Sequence, residues 1–231
     1  MEAFGTVREI QPAGIDGLIV YFNGTTLTQA NQAVQNMKSA IREDNPVWLK
    51  ALIPGYDTLL VLFDLNLADS HTVYQELRSV NPAQQATGNG QHHRLGVWYG
   101  APQACDFDII RRHSGLSDEQ IIAGHTGQPF TVFTVGFAPG FAYMGELPES
   151  LHCPRLDSPR KRVPTGAVAI ADAQTAVYPA ASPGGWNLLG LCAEPLFNPH
   201  WEQPVKLQAG DTVEFYAITE AQYQERLHEQ R

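Results

Sequence analysis

The amino-acid sequence predicts an α+β chain in two parts, a ferredoxin-like N-terminal domain followed by a domain of short strands. Three observations carry this reading. The first third alternates strand and helix patterns in the order β-α-β-β-α-β, the ferredoxin-like signature. Beyond about residue 125 the chain breaks into short strands separated by Pro- and Gly-rich turns, the pattern of an all-β barrel or sandwich. Between these parts the polar stretch 83–91, AQQATGNGQ, reads as a linker.

Residues 4–8 read as a short opening strand. Residues 18–22 form an apolar, β-branched run ended by the Asn23-Gly24 turn. Over 28–42, Ala30, Ala33, Val34, Met37, Ala40 and Ile41 recur at helical spacing. Asn45-Pro46 ends that helix, because proline pushes the residue before it out of the helical region. Strands over 47–53 and 58–65 flank the turn Pro54-Gly55-Tyr56-Asp57. Ser70 caps a second helix running to Val80, its hydroxyl accepting a first-turn amide. A strand over 93–99 follows, which the pattern alone assigns to neither domain.

Two short helices come next, over 107–113 and from Ser117 to about His125. The second opens with a capping box formed by Ser117 and Gln120. The rear strands are expected over 130–137, 163–170, 175–178, 186–191 and 212–218, with a polar helix over 220–229.

The chain has 231 residues, 15 Lys+Arg and 24 Asp+Glu, for a formal charge of −9. This acidic balance argues against a general nucleic-acid binder, which needs clustered Lys and Arg. With 43% hydrophobic residues the chain can bury a true core, which argues against disorder. No apolar run approaches the ~20 residues of a membrane span, and residues 1–10 lack the apolar stretch of a signal peptide. Cys105, Cys153 and Cys192 are odd in number and widely spaced, so neither a disulfide framework nor a metal site is expected. They read as reduced thiols in a cytoplasmic protein.

No phosphate loop, GxSxG elbow or HExxH motif is present. Unusual composition is concentrated between His125 and Trp186. The run Gly136-Phe137-Ala138-Pro139-Gly140-Phe141-Ala142-Tyr143-Met144-Gly145 suits close approach of a ligand or partner, or a barrel corner packed by Phe137 and Phe141. Pro154-Arg155 and Pro159-Arg160-Lys161-Arg162 form a basic stretch in an acidic protein. It reads equally as an anion site or a solvated loop. Ser182-Pro183-Gly184-Gly185-Trp186 can converge amides on an anion, or turn a hairpin. Gln174 and Tyr178, four apart on a strand, face one side. His125 reads as a cation at a helix C-terminus or as a proton carrier. Asp106 and Asp108 read as N-terminal helix charges.

These motifs, with Val163-Pro164, Gln174-Thr175 and Tyr178-Pro179 in the same order, resemble the allophanate hydrolase subunit 1 family, also called carboxyltransferase domain, subdomain C and D. Val135 to Gly145 is similar to the family's "GFxPGFxYxG" signature. The strong portion runs over 98–218 and the first third matches more loosely. The resemblance implies an α+β domain over 1–88 and a cyclophilin-like β-barrel over 89–231. The family includes the B subunit of the bacterial ATP-dependent 5-oxoprolinase, which a separate chain of this length resembles, and the kinase inhibitor KipI.

The resemblance therefore implies opening of 5-oxoproline to glutamate, with ATP as co-substrate, any magnesium held by a partner, no metal on this chain and no tightly bound cofactor. The implied partners are the homologous, carboxyltransferase-type C subunit and the A subunit of 5-oxoprolinase; nucleic acid and membrane are not. Within that frame Pro139 belongs to the signature turn and the amides of Gly140, Gly184 and Gly185 face an anion. Arg155 or Arg160 supplies charge. Gln174 and Tyr178 orient the ligand, Phe141 and Trp186 exclude water, and His125 is the candidate base. A KipI-like inhibitor of a histidine kinase, or a carboxyltransferase component acting on a urea-like acceptor, are the alternative expectations. Three departures stand out: Asp172 where the family has Gly, Leu191 where it has Arg, and a softer signature turn with Ala138 and Ala142. They point to a shifted substrate or to charge supplied by a partner.

Overall fold

The structure, a computed structural model, describes residues 3–80 and 90–229. The chain divides into two compact units, Met1–Asn89 and Gly90–Arg231. Most of the expected linker, residues 83–89, lies outside the described residues.

The first unit holds strands β1 (Val7–Pro12), β2 (Gly17–Phe22), β3 (Leu49–Pro54) and β4 (Thr58–Phe63). Its helices are α1 (Leu27–Asp44) and α2 (Ser70–Ser79). The strands form one antiparallel sheet in the order β1-β2-β4-β3. One sheet face carries Ile10, Leu18, Val20, Leu59 and Val61 against Val34, Met37 and Ile41 of α1 and Val73 and Leu77 of α2. Each such side chain, fully buried, contributes about 1.5–3 kcal/mol. The buried Asn31 fixes the turn after β3, donating to the carbonyls of Gly55 and Tyr56 at 2.9 Å each. Helix α1 ends at Asn45, which leaves the right-handed region before Pro46 and adopts the left-handed one that asparagine tolerates. The cap of α2 is Asp69, not Ser70: its carboxylate accepts the Thr72 amide at 2.7 Å.

The ferredoxin-like order is not completed within this unit. The strand expected to finish it, β5 (His92–Tyr99), lies in the second unit and pairs in parallel with β13 (Thr212–Ala217) over six positions. The edge of the first sheet is taken instead by β1, whose Val7 and Ile10 face the core.

The second unit is a closed seven-stranded barrel. Besides β5 and β13 it contains β6 (Phe130–Val135), β7 (Ala142–Gly145), β9 (Ala167–Ala171), β10 (Gln174–Val177) and β12 (Asn187–Cys192). The order is β10-β7-β6-β13-β5-β12-β9, closed by the β9–β10 hairpin. A small sheet pairs β8 (Arg160–Val163) with β11 (Ser182–Gly184). Helices α3 (Phe107–Ser114), α4 (Asp118–Thr126) and α5 (Glu220–Glu229) pack on the barrel. The capping box of Ser117 and Gln120 is formed as expected.

Alternation along the strands separates two cores. Val168, Ile170, Val177, Leu189, Val213 and Phe215 belong to one, together with Phe107, Ile110 and Ile121 of α3 and α4. Ala167, Ala169, Ala171, Ala176, Tyr178 and Leu188 belong to the other, which also takes in Phe141 and Trp186.

Candidate functional site

The unusual segments of the sequence meet on the second of these faces. Phe141 stands at the centre of an aromatic cluster. Its ring lies 4.8 Å from Tyr143, 5.1 Å from Tyr178, 5.8 Å from Trp186 and 5.2 Å from Phe137. Most of these pairs meet edge to face, the arrangement that aromatic quadrupoles favour. Phe141 leads into β7 and Tyr143 lies within it, so their period-two spacing puts both rings on one side. No strand is expected here from the sequence; the alternation of Phe141, Tyr143 and Gly145 is the signal that marks one.

The loop before β7 is built by two tight turns. Ala138-Pro139-Gly140-Phe141 closes with a 3.0 Å bond from the Phe141 amide to the Ala138 carbonyl, and Gly140 has φ +81°. A side chain at Gly140 would also press on the Leu196 carbonyl at 2.9 Å. Phe137 has φ +69°, and the Ala138 amide reaches back to the Gly136 carbonyl at 2.8 Å. That three-residue turn is the strained, rare form. It leaves the Phe137 ring 64% exposed.

The Arg155 backbone is clamped on three sides. The Cys153 carbonyl accepts the Asp172 amide at 2.7 Å, the Pro154 carbonyl accepts Asn187 Nδ2 at 2.8 Å, and the Leu156 amide donates to Gly185 at 2.7 Å. The Arg155 guanidinium lies 5.7 Å from the centre of the Trp186 ring. Burial pushes the Tyr143 and Tyr178 phenols up, and the positive charge of Arg155 pulls both back. The nearby Trp186 backbone amide also lowers the Tyr178 phenol. Gly184 is packed under that hydroxyl so closely that a Cβ would collide with it. Gln174 begins β10 on the face of Ala176 and Tyr178, as its spacing required.

Arg160 is differently placed. It is bonded to the Asp106 carboxylate and donates to the Trp186 carbonyl at 3.1 Å. Asp106 also accepts the Leu188 amide at 2.6 Å. Arg160 thus holds the Trp186 backbone rather than facing a ligand. Asp106 sits at the N-cap of α3 without capping it through its side chain, so the helix-charge reading of this residue gives way to a bracing one.

The structure puts His125 elsewhere. It is fully buried against Phe130 and Phe215, with ring centres at 5.3 and 4.6 Å. Thr175 Oγ1 donates to the Ala169 carbonyl at 3.1 Å, so it accepts from His125 Nε2 at 2.8 Å. That leaves His125 Nδ1 to accept from the Tyr99 hydroxyl at 2.7 Å. Burial lowers its pKa to about 3, which keeps the ring neutral. Both nitrogens are committed to Tyr99 and Thr175, neither of which belongs to the aromatic cluster. The proton-carrier expectation gives way to a core role.

Among the described residues, no group of three or more His, Cys, Asp or Glu side chains is placed to hold a metal ion. No helix of the described residues is long and apolar enough to cross a membrane.

The model of the family described as "Carboxyltransferase domain, subdomain C and D" matches residues 8–207. The chain is 44% identical over 126 residues to the 5-oxoprolinase B subunit of Haemophilus influenzae, a match spanning 54% of this chain and 59% of that relative. It is thus matched over less than two thirds of that relative's length. It is 32% identical over 231 residues to the 5-oxoprolinase B subunit of Bacillus subtilis, spanning 94% of this chain and 96% of the relative. The crystal structure of TTHA0988 superposes with a TM-score of 0.77 at 30% identity, covering 88% of this chain and 40% of that one.

Proposed function

The chain belongs to the carboxyltransferase domain, subdomain C and D family, and from that premise we propose that it is the B subunit of an ATP-dependent 5-oxoprolinase. One observation carries the reading: the Arg155 guanidinium lies over Trp186 beside Phe141, Tyr143 and Tyr178. A weakly polar ring bearing one carboxylate, as 5-oxoproline is, matches an exposed cation beside the half-buried Tyr143 ring, backed by the buried rings of Phe141, Tyr178 and Trp186. Arg155 takes the carboxylate in a fork of two charge-assisted hydrogen bonds. Tyr143 covers the lactam ring and keeps water from it, with the buried Trp186 holding Tyr143 and Arg155 in place. Gln174, on the Tyr178 face, orients the ring by its amide. The Pro139-Gly140 turn and Gly184-Gly185 keep the backbone close enough for amides to serve the lactam oxygen.

ATP, when bound, supplies the activation that an unreactive lactam carbonyl needs. The reaction is assigned to a complex with a homologous C subunit and an A subunit of the same enzyme, in the cytoplasm, where the free thiols of Cys105, Cys153 and Cys192 stay reduced. The test is ATP-dependent glutamate release from 5-oxoproline, by this chain alone and with companion subunits of its host. Activity is expected in the mixture, with Trp186→Ala and Arg155→Gln each lowering kcat/KM at least tenfold, chiefly through KM for Arg155→Gln. No release from an assembled mixture would overturn the reading.

A further inference from the structure

The two arginines of this region hold their charges in different ways. Arg160 is braced by Asp106 and the Trp186 carbonyl. The Arg155 side chain is 59% exposed and makes no hydrogen bond to any described residue. Its carboxylate neighbour is Asp172, whose Oδ2 stands 3.9 Å from Arg155 Nε. That separation allows charge attraction and is too long for a hydrogen bond.

Asp172 is brought there by a backbone that aspartate seldom adopts. It has φ +51° in the two-residue turn between β9 and β10. Its amide bonds the Cys153 carbonyl, so the turn is fastened to the residue two before Arg155. Both backbones are tied to each other while both charged ends reach into water.

We propose that Asp172 is a specificity-determining residue of the Arg155 site: its carboxylate stands where the anionic group of the ligand goes, and a ligand carboxylate displaces it. The inference deepens the proposed function and rests on its reading of Arg155 as the ligand-binding cation. An exposed, loosely matched ion pair is weak, so exchange is easy. An incoming carboxylate gains two directed bonds that Asp172 does not make. An anion unable to form that fork meets a guanidinium already neutralised, and a ligand without negative charge has no means of displacing Asp172. The aspartate therefore raises the threshold for binding and narrows it to planar carboxylates.

The experiment follows the arginine Nε–H signals of the 15N-labelled full chain while sodium acetate or 5-oxoproline is added at constant ionic strength. Asp172→Asn and Asp172→Gly both accept the left-handed backbone, so the fold is kept. Both are expected to tighten anion binding at Arg155 about two- to fivefold, the range of an exposed pair. In an Arg155→Gln background the Asp172→Asn substitution has no further effect on anion binding, because the shared partner is gone. Unchanged or weaker affinity in both Asp172 variants overturns the proposal, as does an Arg155 signal that neither anion moves. Acetate binding that tightens while no variant binds 5-oxoproline supports the role of Asp172 and overturns the 5-oxoproline reading. Equal binding of 5-oxoproline by the unsubstituted chain and both Asp172 variants overturns the role of Asp172 and leaves that reading in place.

Discussion

Strand β10 presents two chemistries on its two faces. Thr175 turns one way and completes a closed relay, Tyr99 to His125 to Thr175 to the Ala169 carbonyl, in which every proton has a destination. Gln174 and, just past the strand, Tyr178 turn the other way, toward an aromatic cluster whose cation has no hydrogen-bond partner among the described residues. A strongly shifted pKa is commonly taken as a mark of function. Here the most shifted histidine belongs to the closed side, and the open side is marked by a guanidinium with bonds still to make. On the proposed reading, completeness of hydrogen bonding, and not the size of a pKa shift, separates the structural His125 from the ligand-binding Arg155.

The largest expected effect comes from opening the closed side. His125→Ala removes a ring packed on Phe130 and Phe215, leaves the Tyr99 hydroxyl without its acceptor and takes from the Thr175 hydroxyl its donor. Cavity and lost hydrogen bonds together should destabilise the chain by about 3–5 kcal/mol, measured by urea denaturation. Where the variant remains folded, glutamate release should persist. The same histidine gives a pH signature. Its folded pKa, about 3, lies below the unfolded value of 6.5. Above pH 6.5 both states are neutral and His125 contributes no pH dependence. Between 6.5 and about 3 the unfolded chain takes up a proton that the folded one refuses, so stability falls with acid. The slope attributable to His125 is about 1.4 kcal/mol per pH unit. That part of the slope should vanish in His125→Ala; an unaltered pH profile would show that the ring is not held neutral.

The two arginines sharpen the same comparison at smaller amplitude. Arg160 is structural by its bonds, and Arg155, which lacks them, is the cation that the proposed function assigns to the ligand. Arg160→Met should cost about 2 kcal/mol of stability, below the range for a fully buried pair because its side chain is 28% exposed. Its effect on activity should follow from displacement of Trp186. Thermal unfolding beside the kinetics of Arg155→Gln checks this. Equal stability losses in the two variants would erase the distinction between them.

Much of this is legible in the sequence, for identifiable reasons. Short runs set off by Pro- and Gly-rich turns announce most of the rear strands, and Ser117 with Gln120 announces α4, because those signals are local. Gly140 and Gly184 are legible as special backbone, since proline and glycine act on their own neighbours. The destination of β5 is not legible: its partner β13 lies more than a hundred residues away, and no local pattern records parallel pairing. Asp106 misleads for the same reason. Its place before α3 suggests a helix charge, while its bonds go to Arg160 and Leu188. His125 is ambiguous because burial, the property that decides its role, is made by Phe130 and Phe215 from separate strands.

Phe137 offers the smallest effect and the most discriminating sign. On the closed side, strain has no use, and His125 and Thr175 sit on ordinary backbone. At the edge of the open side, a bulky aromatic is held at φ +69° with its ring in solvent, packed edge-on against Phe141. Such a conformation costs on the order of 1–3 kcal/mol for a residue with a side chain and little for glycine. Phe137→Gly should therefore recover part of that strain, offset by the lost contact with Phe141 and by glycine's greater freedom when unfolded. The net expectation is a gain of up to about 1 kcal/mol, read as a higher Tm. Activity should move the opposite way, falling severalfold as the aromatic surface loses its outer ring. A variant both more stable and less active would mark Phe137 as strained for use. Loss of stability with activity retained in the folded variant would place Phe137 with His125, as packing.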